Sequence, residues 1–95
     1  MKTYNWNIQK NEILKKKRKV SFEKVMDAMM NGKILDVIKH PNSEKYPDQK
    51  IFVVDIDDYC YLIPFVENDE EIFLKKIFPS RKYYKIYKDG KNHEG

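Results

Sequence analysis

The sequence predicts an α+β fold in a single domain, with N-terminal helices packed on a four-stranded antiparallel sheet and a short C-terminal helix after it. Three observations carry this prediction. Apolar residues recur at helical spacing early in the chain. Strand-like segments then follow one another, separated by short turn signals, which makes an antiparallel meander. The 95 residues, 41% hydrophobic and 14% aromatic, suffice for one small core.

Good helix formers run from Ile8 to Arg18, with Asn7 placed to cap them. Their apolar face is thin, Ile13 and Leu14, so this helix must lean on the rest of the protein. Just before it, Trp6 is expected to pin the N-terminus to the core. Ser21 is an N-cap with Glu23 in the first turn. Phe22, Val25, Met26, Met29 and Met30 then form an apolar stripe, read as core filler, and Asn31-Gly32 ends the helix. Ile34 to Lys39 is a strand, closed by the turn-rich segment from His40 to Asp48. Lys50 to Ile56 and Tyr59 to Val66 form a hairpin around Asp57-Asp58, a turn rather than a catalytic pair. Pro64 costs the second of these strands a ladder bond, which argues for an edge or a bulge. Glu71 to Phe78 is the last strand, stopped by Pro79. Ser80 caps a short helix with Tyr83, Ile86 and Tyr87 on one side, and the tail 88–95, His93 included, is expected to fray.

Several function classes are excluded by what is missing. There is no apolar run of the ~18 residues a membrane helix needs, so no membrane association is expected, and no signal-peptide core, so the cytosol is the default. Cys60 is a lone cysteine in a strand pattern and reads as core. No Walker loop, dinucleotide glycine pattern or zinc spacing is present, and His40 reads first as a loop histidine, with a role at the site as the alternative; no metal and no cofactor are called for.

Net charge is only +4, but its distribution is uneven. Lys10, Lys15, Lys16, Lys17, Arg18 and Lys19 crowd one segment; Lys75, Lys76, Arg81, Lys82, Lys85, Lys88 and Lys91 crowd another. If the two meet in space they make a basic face. The stretch Ile72 to Tyr87 also interleaves Arg81, Lys82 and Lys85 with Tyr83, Tyr84 and Tyr87, a pattern suited to phosphates and bases. RNA brings its own nucleophile, the 2′-hydroxyl, so a metal-free ribonuclease needs only orientation, proton transfer and charge stabilisation. Composition does not separate this from a non-catalytic nucleic-acid-binding module, or from a protein-interaction domain whose basic faces only solubilise it.

The segment W-N-I-Q-K-N-E-I-L-K-K-K-R-K-V-S-F-E-K-V, Trp6 to Val25, resembles the start of BrnT-type toxins. Trp6, Lys10, Lys17, Val20, Ser21, Phe22 and Glu23 match the family opening in register. Phe78-Pro79-Ser80-Arg81-Lys82 stands where family members close their last strand with I-S-A-R-R/K. The chain departs from the family at Leu14 (Asn), Arg18 (His), Lys19 (Gly), Pro79 (Ser) and Tyr87 (Glu). Arg18 cannot carry a proton in place of histidine, because guanidinium stays protonated.

The resemblance implies a RelE-like fold, a metal-independent endoribonuclease of a type II toxin–antitoxin system, and an antitoxin protein encoded by a neighbouring gene. On that basis Arg81, Lys17, Tyr84 and Tyr87 are the candidate catalytic residues, with Arg81 on the phosphate charge and a tyrosine stacking or assisting proton transfer. Lys10, Arg18, Lys76, Lys82 and Lys85 are the candidate RNA-binding residues.

Overall fold

The two N-terminal helices start where their capping residues stand. The computed structural model describes residues 2–18 and 20–89, so the tail segment 90–95 lies outside the description, as do the side chains of Arg18, Lys88 and Asp89. Helix α1 (Ile8–Arg18) opens on Asn7, whose side-chain oxygen accepts from the Lys10 N–H at 3.0 Å. Helix α2 (Phe22–Met30) opens on Ser21, whose hydroxyl accepts from the Lys24 N–H at 3.1 Å. Gly32, at φ +74°, lets the chain leave α2 in the left-handed conformation that glycine tolerates.

The apolar stripe of α2 is narrower than its spacing suggests: Phe22, Val25 and Ala28 are buried, Met26 and Met29 half-buried, and Met30 is 82% exposed. On α1, Leu14 packs on the core, while Ile8 and Ile13 face outward. A polar clamp supplements this thin contact. Asn11, 2% exposed, accepts from the Phe22 N–H at 2.8 Å and donates to Glu23 Oε1 at 2.8 Å. That donor, followed by the backbone and Lys15, holds the Glu23 carboxyl below its ordinary pKa.

The sheet is mixed rather than a four-stranded meander. The described strands are β1 (Thr3–Trp6), β2 (Ile34–Lys39), β3 (Gln49–Ile56), β4 (Tyr59–Glu67), β5 (Glu71–Leu74) and β6 (Phe78–Pro79). They are ordered β1-β5-β4-β3-β2, with β6 also on β4. Strand β1 adds a parallel edge, Thr3 to Trp6 opposite Glu71 to Leu74. Trp6 does anchor the N-terminus, stacked on Phe22 at 5.7 Å between ring centroids. The β3–β4 hairpin turns on Asp57 and Asp58, both with positive φ, as a two-residue mirror-image turn requires.

Pro64 sits in a central strand, not at an edge. Its carbonyl accepts from the Lys75 N–H at 2.8 Å. In an antiparallel ladder the nitrogen of a residue faces the same neighbour as its carbonyl, and here it has no hydrogen to give. The neighbouring strand breaks opposite it. Leu74 pairs Phe65 and Phe78 pairs Leu62, so Lys75, Lys76 and Ile77 lie against only Ile63 and Pro64. The expected last strand from Glu71 to Phe78 is therefore two short strands around a bulged break.

Both faces of the sheet are used. Phe52, Val54, Ile56, Ile63, Phe65, Ile72 and Leu74 form the main core with α2 and Trp6. By alternation Ile51, Val53, Leu62 and Pro64 face the other way. Helix α3 (Arg81–Tyr84), capped by Ser80 and continued as a wider π turn over Lys85–Asp89, comes to that second face. Its Tyr87 reaches Asp36, which pairs with Val53 across β2–β3. The expected placing of helices on one face is thus corrected, and the π turn runs through Asp89.

Replacing Asn11 with Ala strips the buried Phe22 N–H of its acceptor and Glu23 of its donor. The expected loss is ~1–3 kcal/mol in urea unfolding, with the Glu23 pKa moving back up toward its ordinary value. A loss within the ~0.5 kcal/mol typical of surface substitutions would show that the clamp is not what holds α1.

Candidate nucleic-acid interface

The break in the sheet places lysines. Ile77 turns inward, 3% exposed, and acts as the anchor of the bulged segment. Lys75 before it is half-buried and Lys76 is exposed. On the α1 side, these two lysines meet Lys10 and Lys17 around a hollow of about 420 Å³. Its apolar floor includes Leu14, Phe22, Ile77 and Phe78. Among the described residues no carboxylate lines it. The two basic segments therefore meet in part, through Lys10 and Lys17 from one and Lys75 and Lys76 from the other.

These amines differ in their partners from four other lysines, though Lys16, Lys33, Lys39 and Lys45 share their lack of an ion pair among the described residues. Lys2, Lys15, Lys24 and Lys50 all lie within 4.0 Å of a carboxylate. Among the described residues, Lys10, Lys17, Lys75 and Lys76 have no such ion pair. Like charges gathered around an apolar floor repel one another, and an anionic partner relieves that repulsion.

The C-terminal candidates lie elsewhere. Arg81, Lys82 and Lys85 are exposed on α3 and its π turn and do not line this hollow. Among the described residues they too have no ion pair; the Lys82 amine lies 5.7 Å from the Tyr83 ring centroid. Arg18 belongs to α1, with its side chain outside the described residues.

The tyrosines are turned to structural use. Tyr84 stacks on Tyr59 with centroids 4.7 Å apart, and Tyr83 stacks on Tyr87 at 6.2 Å. The Tyr87 hydroxyl donates to Asp36 Oδ2 at 2.7 Å. That bond first, then burial and the Asp36 charge, pushes the Tyr87 pKa up to about 12. The shift is opposite in direction to the one a cationic site would produce. The interleaving of Tyr83, Tyr84 and Tyr87 with cations is explained by packing of the C-terminal helix.

His40 is better placed than a plain loop residue. Its backbone N–H donates to Gln49 at 3.2 Å, and its Nδ1 accepts from the Asn42 N–H at 3.0 Å. Its ring lies 4.7 Å from that of Tyr46. It lines a second hollow, of about 520 Å³, whose walls also include Lys75, Lys76 and Phe78. The sequence signal that locates it is the run of turn residues from His40 to Asp48 returning the chain into β3. Cys60 is buried, as its alternation predicts, and no cluster of metal-ligating side chains occurs among the described residues. No helix among them is long and apolar enough to cross a membrane.

The Tyr87 shift has a definite sign. The folded state holds the phenol proton to about 12, against ~10 for a free tyrosine. The stabilisation is fully present below pH ~10 and is lost as pH rises through the folded value. Ultraviolet titration should therefore show one phenol ionising late, and Tyr87→Phe should abolish that step at a cost of about 1 kcal/mol at neutral pH. If the tyrosines of the folded protein all ionise together near pH ~10, the Asp36 contact is not maintained in solution.

Comparison of the chain with protein-family models, with curated proteins and with solved structures finds no match.

Proposed function

We propose that this protein is a small metal-independent endoribonuclease, the toxin of a type II toxin–antitoxin pair, with a RelE-like fold of the BrnT type. The observation that carries the reading is the hollow of Lys10, Lys17, Lys75 and Lys76, open, apolar at its floor and free of carboxylates in its lining. A phosphodiester needs positive charge on its oxygens, and a base needs an apolar surface to lie against. The match of Trp6, Lys10, Lys17 and the Val20–Glu23 run to the family opening supports the same reading.

In the proposed reaction the RNA 2′-oxygen attacks the adjacent phosphorus and gives up its proton to water. The bond from phosphorus to the 5′-oxygen breaks, that oxygen takes up a proton, and a 2′,3′-cyclic phosphate remains. The lysines of the hollow hold the phosphate and stabilise the charge that develops on it, Lys17 supplies the proton to the leaving oxygen, and Arg81, outside the hollow on α3, binds the flanking strand. Lys82 and Lys85 extend the basic surface along α3. Tyr84 keeps α3 on β4 through Tyr59. Co-expression with the product of a neighbouring gene should yield a stable complex in which an acidic segment covers the lysines.

A second reading, RNA binding without cleavage, is favoured by one specific observation. Arg18 stands in the family histidine position and Tyr87 is held by a carboxylate, so both lack a free proton acceptor.

Single-stranded RNA incubated with purified protein in EDTA separates the two. Cleavage is expected, falling roughly 10²-fold in Lys17→Ala. Binding should weaken with salt, and Lys10→Ala with Lys17→Ala should flatten the log–log slope by ~0.7 for each phosphate that is no longer neutralised. Binding without cleavage selects the second reading. Salt-insensitive indifference to every RNA overturns both.

A further inference from the structure

We infer that the hollow holding His40 is a second RNA subsite, reached by the strand as it passes over the Lys75–Lys76 ridge from the α1 hollow. The inference rests on the RNA reading above and extends it to residues that the reading does not use. The connection is geometric. Lys75, Lys76 and Phe78 are walls of both hollows. The bulged break opposite Pro64 puts the two lysines between β5 and β6, next to Phe78 at the start of β6. A phosphate bound at the ridge therefore has a hollow on either side of it.

The chemistry of the second hollow suits a nucleotide. Its floor is apolar, formed by Ile51, Leu62, Pro64 and Phe78. Its rim is His40, Gln49 and the two lysines, again with no carboxylate among the described residues. The His40 ring is oriented by its own loop: Nδ1 accepts from the Asn42 N–H, so the ring proton sits on Nε2 as a donor. In that tautomer His40 offers an Nε2 hydrogen bond to a phosphate or base oxygen.

The loop that carries it is locally closed. Tyr46 N–H donates to the Asn42 carbonyl at 3.0 Å and Gln49 N–H to the Tyr46 carbonyl at 3.2 Å. Tyr46 also packs its ring beside the imidazole, so the donor is positioned before any ligand arrives. Phosphate charge, a flat body and hydrogen-bond acceptors on its edge are what this rim and floor can bind together, and single-stranded RNA carries all three.

The test compares RNAs of about 4 and about 12 nucleotides, within the range of known single-strand site sizes. Wild-type protein, His40→Gln, Tyr46→Ala and the Lys10→Ala/Lys17→Ala pair are titrated with both, and circular dichroism confirms that each is folded. The His40 and Tyr46 variants should bind the short RNA as wild type does and lose roughly tenfold on the long one, whereas the α1 pair should lose affinity for both. In a His93→Asn background, the His40 Hε1 resonance should move when the long RNA is added. Failure of wild type to bind either RNA overturns the functional reading and this subsite with it. Binding by wild type, with unchanged affinity in His40→Gln and Tyr46→Ala and a stationary resonance, overturns the subsite alone. Movement of that resonance by poly-glutamate but not by RNA would make the hollow a protein-docking site and also overturn it.

Discussion

The hydrogen that Pro64 lacks shapes this molecule more than any other single feature. Its carbonyl and its nitrogen both face the strand that follows, and only the carbonyl can bond. That strand takes the carbonyl bond through Lys75 and then leaves the ladder for three residues against two. Burial of Ile77 holds the excursion in place and leaves Lys75 and Lys76 projecting between the α1 hollow and the His40 hollow. A regular strand from Glu71 to Phe78 would have sent these lysines to opposite faces and joined neither hollow to the other. The bulge is thus both a repair of the ladder and the origin of the basic ridge.

The basic surface is maintained by separation of charges. Carboxylates are paired with lysines at Lys2, Lys15, Lys24 and Lys50, away from the ridge. Asp36, which could have reached toward cations, is instead bonded to the Tyr87 hydroxyl. That contact has two consequences. It fastens the C-terminal helix to the second face of the sheet, and it keeps the phenol protonated far above neutral pH. Tyrosines that a linear reading assigns to bases are thereby spent on packing, and Arg81, Lys82 and Lys85 remain as the exposed chemistry of that helix.

Helix α1 supplies half of the ridge hollow without a strong apolar face. Ile8 and Ile13 point outward and Leu14 alone packs on the main core from this helix. The buried Asn11 joins it to the first turn of α2, satisfying the Phe22 N–H and Glu23 at once. A buried amide with both ends partnered is directional, so it sets the rotation of α1 as well as its distance. Rotation matters here, because Lys10, Leu14 and Lys17 share one face of the helix and reach the hollow together only in that setting.

Much of the fold was legible in the chain, because it is written in short-range chemistry. Asn7 and Ser21 start helices, Asn31-Gly32 ends one, Asp57-Asp58 turns a hairpin, Ser80 caps the last helix, and alternation buries Cys60. Each needs only neighbours within a few residues. The charge asymmetry was equally plain, and with it half of the candidate surface. What the tertiary structure decided is non-local. Four residues, Thr3–Trp6, carry too little periodicity to announce a strand, and they become one only by pairing in parallel with Glu71–Leu74 at the far end of the chain. The break after Leu74 depends on a proline in another strand. The inward turn of Tyr84 and Tyr87 depends on Tyr59 and Asp36. His40 gained a hollow only because β3, β4 and the ridge close around its loop. Local sequence sets which conformation each segment prefers; the pairing of distant backbone groups sets which side chains end up sharing a surface.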